Sequence, residues 1–157
     1  VIPFLLQHRL AGAGETPPTV TNPPDWSGLT FRKVAYALAG TVTATSSFTI
    51  NPDGSWIATD GSGTVGGYWI NPHAAGVGSG YKVQFVVTGS VGSGTVANGA
   101  SGIVSLSAAR SFSVQVSTSV SGTVTCQRAI RVDIYDASDV LVASGSATLY
   151  ATAEKGT

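Results

Sequence analysis

Asp53 and Asp60 flank Trp56 in the stretch "INPDGSWIATDGSG", residues 50–63. Two carboxylates beside an aromatic ring are the raw material of glycoside hydrolysis. Each aspartate, however, precedes a glycine in a turn signal, and there the side chain serves the turn through its own backbone bonds. Turn chemistry accounts for both. His8 and His73 are too far from each other and from further ligands to build a zinc site, which takes three or four donors. Cys126 lies in a strand pattern and reads as a small buried hydrophobe rather than a nucleophile. "GVGSGY", residues 76–81, has the glycines of a phosphate loop but leads into the strand pattern "YKVQFVV". A dinucleotide fingerprint needs a helix there, and a P-loop needs Lys-Ser/Thr, so it reads as a turn. Serines are abundant, but no nucleophile elbow surrounds one. No active site and no cofactor is read.

The aromatic residues remain. Trp56, Tyr68, Trp69 and Tyr81 fall close together in the chain. Exposed, they would form a platform for stacking on sugar rings or for anchoring a partner. Buried, they would belong to a core. The core reading is preferred for Trp56 and Trp69, with the glycan platform as the alternative.

The elements that must position these residues are strands. "TVTATSSFTI" alternates, with Val42, Ala44, Ser46, Phe48 and Ile50 on one face and small polar residues on the other. "YKVQFVV" sets Tyr81, Val83 and Phe85 against Lys82 and Gln84, and "SFSVQVS" sets Phe112, Val114 and Val116 inward. "AIRVDIYD" places Ile130, Val132 and Ile134 inward and Arg131, Asp133 and Tyr135 outward, an exposed row that is a candidate interface. Period-2 alternation with β-branched and aromatic residues is the mark of half-buried strands. "FRKVAYALAG" has some helical spacing in Val34, Ala37 and Leu38, but alternation of Phe31, Lys33 and Ala35 against Arg32, Val34 and Tyr36 favours a strand. Seven or eight strands without helices predict an all-β antiparallel β-sandwich. The segments 123–136 and 140–153 should form a long hairpin in the middle of one sheet. Residues 89–102, almost all Gly, Ser, Ala and Asn, read as a long loop, mobile or held by a partner.

Residues 1–28 differ. "GAGETPPTVTNPPDW" carries four of the seven prolines, which fix φ and remove backbone donors. The chain therefore divides into an extended Pro-rich N-terminal arm, 1–28, and a sandwich domain, 29–157. Ile2, Phe4, Leu5 and Leu6 at the start of the arm are apolar enough that it should lie across its own domain or across a neighbour, and they are candidate interface residues for docking on another subunit. The short apolar run "VIPFLL" has no basic stretch before it and does not match a secretory signal.

Of the 157 residues only 10% are charged, and eight basic residues balance eight acidic ones. No basic stripe points to a nucleic-acid partner, and no apolar run is long enough to span a membrane as a helix. Zero net charge gives little protection against self-association. Coverage in an assembly explains such a surface; so does a Ser/Thr-rich surface that is soluble without charge.

Four segments between residues 48 and 153 are informative together: "FTINPDGSW", "GGYWINPHAAGVGSGYKVQF", "SLSAARSFSVQV" and "AIRVDIYDASDVLVASGSATLYA". In this order they resemble a small β-domain found in structural proteins of tailed bacteriophages. The resemblance covers about two thirds of the chain and leaves out the Pro-rich arm. It implies an immunoglobulin-like sandwich located in the virion, attached to a tail, tail tip, baseplate, fibre or capsid surface. Its partners would be other virion proteins or copies of itself. No catalytic residues carry over. A tail or tail-tip protein leads, a capsid decoration protein follows, and a carbohydrate-binding module or adhesin with a glycan or host-surface receptor is the alternative of a different class.

Overall fold

The computed structural model describes residues 19–61, 63–71 and 77–157. They are all-β, with no α-helix among them. Twelve strands follow in chain order: β1 Thr19–Val20, β2 Leu29–Ala37, β3 Val42–Ile50, β4 Ser55–Asp60, β5 Gly63–Tyr68, β6 Ile70–Asn71, β7 Lys82–Gly92, β8 Thr95–Asn98, β9 Val104–Ser105, β10 Arg110–Thr118, β11 Gly122–Tyr135 and β12 Leu141–Lys155. A 3₁₀ turn, Val77–Gly80, leads into β7, so the glycines there open a strand as read from the sequence.

Two five-stranded sheets form the body. The first has the order β5-β4-β3-β10-β8 and the second β2-β12-β11-β7-β9; β1 and β6 make a small separate pair. The inner faces meet in one core. Phe48 of β3, Trp56 of β4 and Phe112 of β10 face Phe31 of β2 and Phe85 of β7. Their rings touch in series: Phe31–Trp56 at 5.6 Å, Phe48–Trp56 at 5.6 Å, Phe48–Phe85 at 6.4 Å and Phe85–Phe112 at 6.1 Å between centroids. The inward rows of β3, β7, β10 and β11 are those expected from the alternation, including Ile130, Val132 and Ile134, all fully buried. Ser46, the polar member of its row, donates its hydroxyl to the Phe31 carbonyl at 3.1 Å and so enters the core satisfied.

Three expectations are corrected. The sandwich is not purely antiparallel, because β2 runs parallel to β12. Parallel neighbours need a long connection, and here residues 38–140 supply it. The hairpin β11–β12 does lie in the middle of its sheet, and β2 joins it from the outside.

Residues 89–102 are not a loose loop. β7 continues to Gly92 past a bulge at Thr88, and β8 then crosses to the edge of the first sheet. Asn98 fixes the crossing. Its amide donates to the Phe85 carbonyl at 3.2 Å, its side-chain oxygen accepts from Ala100 N–H at 3.0 Å, and the Ala100 carbonyl accepts from Phe85 N–H at 2.9 Å. The small side chains let the segment lie against β10.

The boundary at residue 28 also moves. Thr19–Val20 pairs with Ile70–Asn71, and Trp26 is fully buried against Phe48 and Trp56. Residues 19–28 therefore belong to the packed unit. Pro23 and Pro24 carry the chain from β1, beside the first sheet, to β2 in the second. Ile2, Phe4, Leu5 and Leu6 lie outside the described residues.

Candidate functional site

The four aromatics of the expected platform do not share a surface. Trp56 points inward from β4, and its indole N–H donates to Asp25 Oδ1 at 2.6 Å. Trp69 is fully buried, with its N–H directed to the Asn51 carbonyl at 3.3 Å. Tyr81 packs edge-on against Trp69 at 5.3 Å and is half-buried. Burial raises its phenol above the ordinary value, and the Asp136 carboxylate adds to the rise. Only Tyr68 presents much of its ring, at 50% exposure. The core reading of the tryptophans stands, and the platform is corrected. Adjacent residues on a strand face opposite ways, so Trp69 took the inside and Tyr68 the outside.

Tyr68 borders a concavity on the outer face of the β4–β5 hairpin. Its volume is about 360 Å³, and Asn51, Ser55, Ile57, Thr64, Gly66 and Tyr68 line it. The pairing explains its shape. Ser55 faces Tyr68 across the ladder, Ile57 faces Gly66, and Thr59 faces Thr64. Gly66 leaves the middle of the outer face without a side chain, so a trough opens between Tyr68 and Thr64, with Ile57 beside it. A Cβ at Gly66 would lie 2.5 Å from the Trp56 carbonyl oxygen, so the backbone approach itself requires glycine there.

The polar end of the trough is built by the turn before β4. Asn51 Nδ2 donates to Ser55 Oγ at 3.1 Å, and Ser55 donates both its hydroxyl, at 2.5 Å, and its backbone N–H, at 3.0 Å, to Asp53 Oδ1. Asp53 thus serves the turn, as the sequence indicated. β4 separates Asp53 from Asp60 by about 20 Å at the rise of a strand, too far for a carboxylate pair acting on one glycosidic bond.

The outward row of β11 holds another correction. Arg131, Asp133 and Tyr135 do lie opposite the core row, but Asp133 is only 3% exposed. β11 is a central strand, and Gln84 of β7 and Ser144 of β12 flank Asp133 on either side. Ser144 Oγ donates to Oδ1 at 2.6 Å, and Arg131 Nε–H lies 3.0 Å from both carboxylate oxygens. Arg131 itself is half-exposed. Asp133 is therefore a covered acceptor and not an interface residue; Arg131 and the half-buried Tyr135 remain at the surface.

Among the described residues no three His, Cys, Asp or Glu side chains gather as a metal site, and Cys126 is buried. No helix of the described residues is long and apolar enough to cross a membrane. No protein-family model, curated protein or solved structure matches the chain. The trough residues other than Tyr68 were not singled out from the sequence. The signal was present in "GTVGGY", a strand with two adjacent glycines after its one branched apolar residue.

Proposed function

We propose that the chain is a non-enzymatic structural protein of a tailed-phage virion, located at the tail or tail tip, with an immunoglobulin-like sandwich as its body. The sequence resemblance suggests the setting. The observation that carries an assembly role is an apolar end of the domain. Tyr36 at 61%, Leu38 at 65% and Val120 at 72% exposure project where β2 and β12 finish and β11 begins. The chain is held there by Gly156 N–H to the Ala37 carbonyl at 3.0 Å and Ser121 Oγ to the Gly156 carbonyl at 3.0 Å. Large apolar side chains held in place at one end fit a surface covered by a neighbour. The immunoglobulin-like assignment is supported by the first long strand lying parallel to the last and by a Pro-containing entry that changes sheets.

Ile2, Phe4, Leu5 and Leu6 would add a second contact to an adjacent subunit in this reading. A capsid decoration protein would use the same surfaces at another place in the particle. The test is solution mass together with imaging of labelled protein bound to particles. Assembly or particle binding that falls in Leu38→Asp and Val120→Asp variants with unchanged melting supports the reading. A monomer that binds no particle and does not assemble overturns it.

A further inference from the structure

We propose that the trough along β5 is a binding site for a neutral glycan, a role separate from assembly at the apolar end. Its volume of about 360 Å³ suits a sugar ring or two rather than a folded partner. Its floor is backbone at Gly66, which lets a flat ring approach closely. One wall is the half-exposed ring of Tyr68, and Ile57, 41% exposed, lies beside the floor. A pyranose has an apolar C–H face and a polar rim, and an aromatic ring with a polar tip matches that division. The polar rim would meet the second N–H of the Asn51 amide, the remaining lone pair of Ser55 Oγ, whose proton is held by Asp53, and the Thr64 hydroxyl, so that donors and acceptors are both present.

Charge narrows the ligand class. Among the described residues the outward rows of β3, β4, β5, β8 and β10 carry no charge; the charged residues of these strands, Asp60 at the end of β4 and Arg110 at the start of β10, stand at strand ends in line with the inward rows. The face around the trough is instead a hydroxyl array, with Thr43–Ser117 at 2.7 Å, Thr49–Ser111 at 2.7 Å and Ser47–Thr59 at 3.0 Å. The charged outward residues Arg32, Arg131 and Glu154 lie on the second sheet. An acidic sugar would find no cation among the described outward residues of the trough's own face, and Asp53 behind Ser55 would disfavour it.

The test is a titration of the isotope-labelled full chain with neutral oligosaccharides of glucose, mannose and N-acetylglucosamine, and in parallel with sialylated and uronate oligosaccharides. Saturable amide shifts confined to residues 51–57 and 64–68 with a neutral series are expected. Tyr68→Ala should weaken that binding by about tenfold, and Tyr68→Phe, which keeps the ring, by no more than about threefold. Ile57→Asn provides a second variant in the same trough, and thermal melting of each variant separates lost binding from lost fold. No saturable shift with any neutral series overturns the proposal. So does binding of acidic sugars alone, an effect unchanged in Tyr68→Ala, or shifts at these amides that follow protein concentration without sugar, which would mark the β5 edge as a contact between copies.

Discussion

Arg131 and Asp133 sit two residues apart on β11, with the arginine Nε 3.0 Å from each oxygen of a carboxylate that is itself almost wholly covered. An exposed cation here completes the hydrogen bonding of a covered anion, an asymmetry that an ordinary surface ion pair lacks. Arg131→Ala would leave Asp133 with the Ser144 hydroxyl as its remaining side-chain donor. The expected cost is about 1–3 kcal/mol, above the usual 0–1 kcal/mol of an exposed pair. Urea unfolding measures it. A cost within the surface range would show that solvent replaces the guanidinium without loss.

The inward row should respond more strongly. Ile130 and Ile134 are fully buried between the sheets, and truncation of either to alanine should cost about 2–5 kcal/mol. Tyr135→Ala, on the outward row and half-buried, should cost less. Equal losses in a chemical-denaturation series would contradict the assigned register.

The strands themselves were legible because a two-residue period states which side chains face in. It does not state which strands are neighbours. The pattern alone therefore puts Asp133 at the surface: an outward position on a central strand is covered or open depending on the side chains of β7 and β12, which no local pattern contains. Trp26 reads as part of an arm for a related reason. The prolines around it correctly excluded a central strand, but an irregular segment can still deliver a ring to the core. The trough was hidden because it is made by missing side chains, whose effect appears only when β4 and β5 are paired.

Tyr81 supplies a pH dependence. Its phenol is raised above 10 in the folded state, first by burial and then by Asp136. The neutral phenol is thus favoured by folding. Its contribution is fully present below pH 10, where both states are protonated, and is lost as pH rises through the folded value. Wild type should therefore lose stability more steeply above about pH 10 than Tyr81→Phe does. Parallel slopes in thermal melts across that range would remove Tyr81 as the cause.

Gly145 of β12 and Trp26 test the packing of the entry segment. A Cβ at Gly145 would lie 2.9 Å from Trp26 Nε1 and 3.2 Å from Pro24 Cδ, so Gly145→Ala should destabilise by about 1–3 kcal/mol. Trp26 Nε1 is buried and has no hydrogen-bond partner among the described residues. Trp26→Phe removes that group and makes room. In the double variant the alanine should cost measurably less than in the wild-type background, a coupling read from a double-mutant cycle. Strict additivity would place the clash elsewhere.

Deletion of residues 2–18 probes the proposed assembly contact of Ile2, Phe4, Leu5 and Leu6 while keeping Thr19–Val20 on β6. Melting should be unchanged and incorporation into particles should fall. Normal incorporation would relieve those residues of the role.

The parallel pairing of β2 with β12 has a consequence for the order of events during synthesis. From the ribosome β2 emerges early, yet among the described residues its one ladder partner in the sheet is β12, which emerges long after it. Until then β2 lacks its sheet ladder and is held only across the core, through Phe31 against Phe48 and Trp56, and the loop that must close contains most of the domain. Contacts so distant in sequence slow folding and lengthen the time in which sticky intermediates are exposed. Lys33, between the exposed Arg32 and Val34 on β2, puts a cation on that waiting edge, and charge on an unpaired edge discourages wrong partners. A translation pause or a nascent chain cut before β12 should therefore leave β2 protease-sensitive while β3, β4 and β10 are already protected, and completion of β12 should close both at once.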